Sequence, residues 1–303
     1  MTGQPDTAPP EPVIPDHFQA PHPATGTTHV LPGFKITLGI TLFFLSAIVI
    51  IPLAALIARP WEHGLQGFLF VLTDERVIHA LWLSFITALA AAVVNAFAGL
   101  AVAWALTRYS FPGRRLLDAL IDLPFALPTA VAGIALSGLY AANGWVGSIT
   151  EPLGLKIAYT PIGIFLALTF IGLPFVVRSV QPVLAEFEAE IEEAAETLGA
   201  TAVQTTLRVI LPALMPSLVT GFSLALARGV GEYGSVIFIA GNMPYISEIA
   251  PLLIVIKLQE YDYAGAAAVG VIMLAISLVI LLFLNIAQRF FASIGKANAG
   301  SAK

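Results

Sequence analysis

The 303-residue sequence contains no cysteine, which removes disulfides, thiolate metal sites and cysteine nucleophiles. Charged residues make up only 11%, against about a quarter in a soluble domain. Basic residues are outnumbered, 14 Lys+Arg against 19 Asp+Glu. No basic stripe therefore exists to displace counterions from nucleic acid, and nucleic acid is excluded as a partner. Histidine is scarce and scattered: His17, His22 and His29 fall in the first 30 residues, and His63 and His79 are expected in one loop. No metal cluster and no catalytic residue is expected from such a set. A phosphate-cradling loop needs Gly-x-x-x-x-Gly-Lys followed by Ser or Thr. The one Gly-Lys pair, Gly295-Lys296, is followed by Ala297. The chain is expected to hold no nucleotide site, to need no cofactor and to be no enzyme.

What it has instead is apolar surface. Hydrophobic residues reach 58%, more than the core of a soluble globule of this length could absorb, so the excess is assigned to membrane lipid. Residues 1–30 stand apart. They carry seven prolines (Pro5, Pro9, Pro10, Pro12, Pro15, Pro21, Pro23), three acids and no Lys or Arg, a composition that predicts a disordered tail. With no positive n-region, this segment does not read as a signal peptide.

A bilayer core about 30 Å thick needs roughly 20 helical residues. Residues 34–58, 79–107, 116–141, 160–182, 212–240 and 264–290 meet that length, predicting an all-α integral membrane protein with six spans. The run Leu252–Ile256 is too short and reads as an interfacial or re-entrant helix. With the N-terminus in the cytoplasm, nine Lys/Arg fall inside (Lys35, Arg108, Arg114, Arg115, Arg178, Arg208, Arg289, Lys296, Lys303) and four outside (Arg59, Arg76, Lys156, Lys257). The positive-inside bias therefore places both termini in the cytoplasm, including a short tail at 293–303. Pro124 and Pro128 interrupt the third span, Pro174 the fourth, and Gly229, Gly231 and Gly234 crowd the fifth. Such breaks are tolerated where neighbouring helices or a wet cavity satisfy the freed backbone.

The loop between spans four and five, residues 183–211, is predicted to be cytoplasmic. Leu184, Phe187, Ile191, Ala194, Ala195 and Leu198 recur at helical spacing, and six glutamates occupy most of the other faces. Gly199 sits where a helix ends, and Thr201 with Gln204 reads as a capping box opening a second short helix. Helices that lie on membranes carry Lys and Arg. An acidic one is expected to meet a protein, which makes this loop a docking element.

Glu193-Ala194-Ala195, then Gly199, then Val209-Ile210-Leu211-Pro212 resembles the cytoplasmic loop motif of ABC importer permeases, with Val209 in place of the usual Ile. Residues 31–290 are similar, more narrowly, to the T-type (CysT) permeases of sulfate/thiosulfate importers. The stretches that carry this are Leu31–Phe34, Asp118–Gly133, Pro174–Arg178, Gly231–Gly234 and Leu258–Tyr263. Molybdate and tungstate permeases are similar in the loop and around Arg228–Glu232. The resemblance implies the type I importer permease fold, a permease domain over 31–292 and residence in a bacterial inner membrane. It further implies a second, homologous permease subunit forming a heterodimer, two ATP-binding cassette ATPase subunits, and an extracytoplasmic sulfate-binding protein. By this likeness Glu193, Ala194, Ala195, Gly199, Leu211 and Pro212 form the ATPase-coupling contact.

Arg228, Gly231 and Glu232 are the candidate translocation-pathway residues. Charges at that depth face a bundle interior or a wet cavity. Arg228 would attract a dianion, and Glu232 would keep it from being trapped; an ion pair that only fixes packing is the competing reading. Asp118 and Asp122 read as charge balance for Arg114 and Arg115 at a helix start, and Glu151, Glu248, Glu260 and Asp262 as outside loop charges that could meet a delivery protein. The alternative in another class is an ion-coupled secondary transporter, for which Glu232 is the one suitable carboxylate.

Overall fold

The computed structural model describes residues 34–187 and 189–300. The proline-rich segment 1–30 lies outside the described residues, and so does Leu31-Pro32-Gly33. Among the described residues there is no β-strand. The helices are α1 (Phe34–Leu45), α2 (Ile51–Ala58), α3 (Gly64–Thr73), α4 (Glu75–Arg108), α5 (Arg114–Ile121), α6 (Leu123–Ala126), α7 (Thr129–Tyr140) and α8 (Gly147–Thr150). They continue with α9 (Pro161–Ala185), α10 (Ala189–Thr197), α11 (Ala202–Thr205), α12 (Leu211–Val230), α13 (Val236–Ile239), α14 (Ala250–Gln259) and α15 (Tyr263–Gly300).

The chain divides into two units, 1–52 and 53–303. In the first, α1 is apolar on every side and buries none of its residues, as befits a helix whose solvent is hydrocarbon. In the second, α4, α9 and α12 pack on one another. Their shared core includes Leu83, Ala91 and Leu106 of α4, Val176, Val180 and Leu184 of α9, and Leu214 and Leu226 of α12. Small residues set this seam: a Cβ on Gly99 would lie 2.7 Å from Val176, and one on Gly221 would lie 2.8 Å from the Val176 Cα. Lipid offers no hydrophobic drive to association, so close backbone contact supplies it. A second cluster joins Val77, Ala80 and Leu81 of α4 to Ala250 and Leu253 of α14 and Val269 and Ile272 of α15.

Among the described residues, five helical stretches are long and apolar enough to cross a membrane: Phe34–Glu62, Glu75–Arg108, Pro161–Ala185, Ala202–Val230 and Tyr263–Ile286. The third expected passage, 116–141, is divided among α5, α6 and α7. Leu127 is extended (φ −85°, ψ 137°), the conformation a following proline imposes, so Pro128 separates α6 from α7. The fifth span also ends earlier than expected, at Val230 rather than 240, with Gly231 at its C-cap. His79 lies on the second turn of α4, not in a loop. The 252–256 run becomes α14, which packs against α4 and α15 and donates the Ala250 N–H to Ser84 Oγ at 2.8 Å.

Among the described residues, two helices contain a widened turn, and each stands directly before a proline. The Ile51 N–H reaches Ser46 O ahead of Pro52, and the Leu211 N–H reaches Thr206 O ahead of Pro212. Proline supplies no N–H and crowds the carbonyl four residues back; a π turn absorbs that misfit without breaking the helix.

Where α7 meets α13 the fit is tight. A Cβ on Gly133 would sit 2.3 Å from Ser235 O, whereas one on Gly138, on the same helix, would meet nothing within 4 Å. Gly133→Ala is therefore expected to lower stability by about 1–3 kcal/mol, the usual cost of overpacking. Gly138→Ala should be neutral or stabilising by up to about 1 kcal/mol. Thermal unfolding of the purified protein checks both signs.

Candidate functional site

The segment between α9 and α12 is built in pieces. The chain leaves helical geometry at Glu186 and Phe187, and Phe187 packs onto the main core. Helix α10 follows, then a reversal at Gly199 (φ +83°). That left-handed backbone suits glycine, because a side chain there would crowd the following carbonyl. The Gly199 N–H donates to Glu196 O at 2.9 Å and the Ala200 N–H to Ala195 O at 3.0 Å, closing the end of α10. Thr201 and Gln204 then form a reciprocal capping box: the Thr201 N–H donates to Gln204 Oε1 at 2.9 Å, and the Gln204 N–H donates to Thr201 Oγ1 at 3.4 Å. From Ala202 the helix runs through the widened turn at Thr206–Ile210 and on to Val230 without a stop.

The stripe expected as one apolar face is split. Leu184 is buried at the end of α9, while Ile191 and Leu198 face outward, joined by the exposed Val203 and Leu207. The physical reason is the break at 186–187, which rotates α10 away from the register of α9. Glu193 and Ala194 are exposed, Ala195 is half-buried, and a Cβ on Gly199 would touch nothing. One side chain ties α10 to the bundle: Glu192 forms an ion pair with Arg108 at the C-terminal end of α4. The Arg108 guanidinium also lies 5.7 Å over the Trp104 ring. The result is a short helix with unpartnered apolar side chains, continuous through one turn with a long membrane helix.

Arg228 and Glu232 are brought together, though not as two residues of one helix. Arg228 is in the last turn of α12, and Glu232 follows the C-cap Gly231. One Glu232 oxygen pairs with Arg228. The other accepts from the Ser235 N–H at 2.9 Å and from Ser235 Oγ at 3.1 Å. Glu232 is buried, and Arg228 is partly exposed. A carboxylate so placed joins the end of α12 to the start of α13, and it offsets the guanidinium charge.

Residues 95–293 match the model of the family described as the binding-protein-dependent transport system inner membrane component. That stretch covers the C-terminal part of α4, everything from α5 through α14, and most of α15. The chain belongs to this family. Among its relatives, the sulfate transport system permease protein CysT of Synechocystis sp. is 48% identical over 251 residues, covering 83% of this chain and 88% of the relative. The protein of the same name from Escherichia coli is 46% identical over 268 residues, 88% of this chain and 97% of the relative. Among solved structures, a bacterial alginate ABC transporter in complex with an alginate pentasaccharide-bound periplasmic protein matches with a TM-score of 0.69 at 19% identity, covering 84% of this chain and 93% of that one. A second structure, of an ABC transporter importing the same polysaccharide, matches at 0.70 and 18%. At those identities the likeness is one of fold, and the fold is that of the ABC transporter permeases.

For this multi-pass inner-membrane permease, four charge constellations were not legible in advance. Asp118 and Asp122 do not balance Arg114 and Arg115; they grip Arg178 of α9. Arg178 Nη1 donates to Asp118 Oδ1 at 2.7 Å, Nη2 and Nε donate to the two Asp122 oxygens at 2.6 and 2.8 Å, and Nη1 also donates to Gln181 Oε1 at 2.6 Å. The signal available was the pair of acids four apart on one helix face, with a lone arginine in the next span. Glu248 is not an exposed loop charge. It is buried, with Arg76 bidentate upon it at 2.6 and 2.7 Å. Asp262 accepts from Lys257 Nζ at 3.1 Å and from the Gly265 N–H at 2.8 Å, at the start of α15. The fourth constellation is the Arg108–Glu192 tie, in which Glu192 had read as one acid among six.

Proposed function

We propose that this chain is the membrane-spanning subunit of an ATP-driven importer of sulfate, with both termini in the cytoplasm. Its partners on this reading are a homologous second permease, two ATPase subunits that dock on α10, and an extracytoplasmic binding protein that delivers the anion. The observation that carries the reading is the exposed helix–Gly199–helix element, whose unpartnered Ile191, Leu198, Val203 and Leu207 adjoin a helix continuous with α12. Relatives 46–48% identical that are named sulfate permeases supply the substrate. Glu193, Ala194, Ala195, Gly199, Leu211 and Pro212 make up the coupling contact, and Arg228, Gly231 and Glu232 line the path.

Purification of the tagged chain with its accompanying subunits, followed by reconstitution, tests the whole. Labelled sulfate should enter vesicles only with ATP and binding protein, and an ionophore should leave the rate unchanged. Uptake abolished by the ionophore would establish an ion-coupled carrier instead. Within that assay, Arg228→Ala should slow uptake by about tenfold or more, since a lost charge-assisted contact is worth roughly 1.5–3 kcal/mol. Arg228→Lys should keep an intermediate rate. Wild-type rates in both variants would remove Arg228 from the path.

A further inference from the structure

Helix α5 is amphipathic in an unusual sense. Its polar residues Asp118 and Asp122 turn toward Arg178 of α9, and Ile121 is buried beside them. Its apolar residues turn away from the chain: Leu116 and Leu120, four apart, are 65% and 50% exposed, and Leu123, three further on, is 38% exposed. That outward stripe demands an apolar neighbour. At its head stand Arg114 and Arg115, both exposed. Neither forms an ion pair among the described residues, in contrast to Arg59, Arg76, Arg108, Arg178 and Arg228, each of which has a carboxylate. The two arginines border an open surface hollow of about 330 Å³ whose other lining residues are Ser110, Phe111 and Gly113.

The position of this feature is fixed by a contact already described. Arg114 follows six residues after Arg108, and Arg108 holds Glu192 of α10. The turn at 109–113 and the coupling helix therefore share one end of the bundle. Two unpaired guanidiniums at an apolar boundary, with leucines along the adjoining helix face, match the chemistry of a phosphate headgroup above acyl chains.

We propose that Arg114, Arg115 and the Leu116–Leu120–Leu123 stripe form a binding site for an anionic phospholipid, in the leaflet next to the coupling element. The guanidiniums and Ser110 hold the phosphate, and the leucines meet the first methylenes of the chains. Bound lipid then braces α5, and through Arg178 it braces α9.

The test uses the full-length chain purified in mild detergent with the subunits that accompany it, then exposed to mixed micelles of phosphatidylglycerol and phosphatidylcholine. Native mass spectrometry reads the lipid retained. Wild type should retain phosphatidylglycerol over phosphatidylcholine. The Arg114→Gln/Arg115→Gln double variant should lose that preference by roughly tenfold or more, as two charges near a membrane surface supply. Arg208→Gln, which removes an exposed arginine elsewhere at this end, should not. Leu116→Ser/Leu120→Ser should weaken retention while leaving both arginines. Inorganic phosphate at millimolar concentration should fail to displace the lipid. Undiminished preference in the double variant would overturn the proposal. So would displacement by phosphate, which marks a simple anion site, or cross-linking of residue 115 to an accompanying subunit in place of lipid.

Discussion

Gly199→Val should reduce sulfate uptake by at least about tenfold while leaving the amount of protein in the membrane unchanged. The two halves of that result have different origins. The loss comes from backbone geometry: Gly199 holds φ at +83°, a region that costs an ordinary side chain roughly 1–2 kcal/mol and a β-branched one more. To relieve the strain the turn between α10 and α11 must open, and the apolar side chains on either side of it then no longer present one surface. The unchanged yield follows from the surroundings, since a Cβ at this position meets nothing within 4 Å. No core is disturbed. Gly199→Asn is the informative companion, because asparagine tolerates the left-handed region and should keep most of the activity. Equal uptake by the valine variant and wild type would show that the turn carries no coupling.

The second large effect is on stability. Removing the Arg178 side chain strips both carboxylates of α5 of their counter-charge at once, together with five charge-assisted hydrogen bonds to Asp118, Asp122 and Gln181. One partner lost from a buried pair costs about 3–5 kcal/mol. Here Asp118 and Asp122 are 42% and 48% exposed, so water recovers part of that, and about 2–3 kcal/mol is expected for Arg178→Ala. Arg178→Lys should restore less than half, because an ammonium cannot serve two carboxylates with a planar fork. The triple variant Arg178→Gln/Asp118→Asn/Asp122→Asn should be more stable than Arg178→Ala, since it leaves no unpaired charge. A thermal midpoint for Arg178→Ala within about a degree of wild type would show the constellation to be ornamental; a loss of the expected size corresponds to several degrees.

The parts of the fold that were readable from sequence are those governed by period and length. Five apolar runs became long helices because a span needs only enough hydrocarbon, and nothing outside it can override that. The segment between α9 and α12 was readable for a different reason. Gly199, Thr201 and Gln204 act locally, through a backbone angle and a reciprocal cap, so three residues specify the turn without help from distant ones. What was not readable depends on residues far apart in the chain. Glu248 reads as a loop acid until Arg76 arrives from a segment 172 residues away. Asp118 and Asp122 suggest a local balance with Arg114 and Arg115, yet a tertiary partner offering bidentate geometry wins over neighbours that offer flexible contacts. The division of the third passage lies between these extremes. Pro124 and Pro128 announce a break, but only the extended Leu127 shows that the break separates helices rather than bending one.

Glu232 gives its two oxygens to two different masters, the guanidinium of Arg228 and the hydroxyl and amide of Ser235. Ser235 in turn abuts Gly133. On the proposed path, an anion at Arg228 would compete for the very group that steadies this carboxylate, and the slack would reach Ser235 at the head of α13 and then Gly133 of α7. Cargo and scaffold would then be geared together through a single side chain.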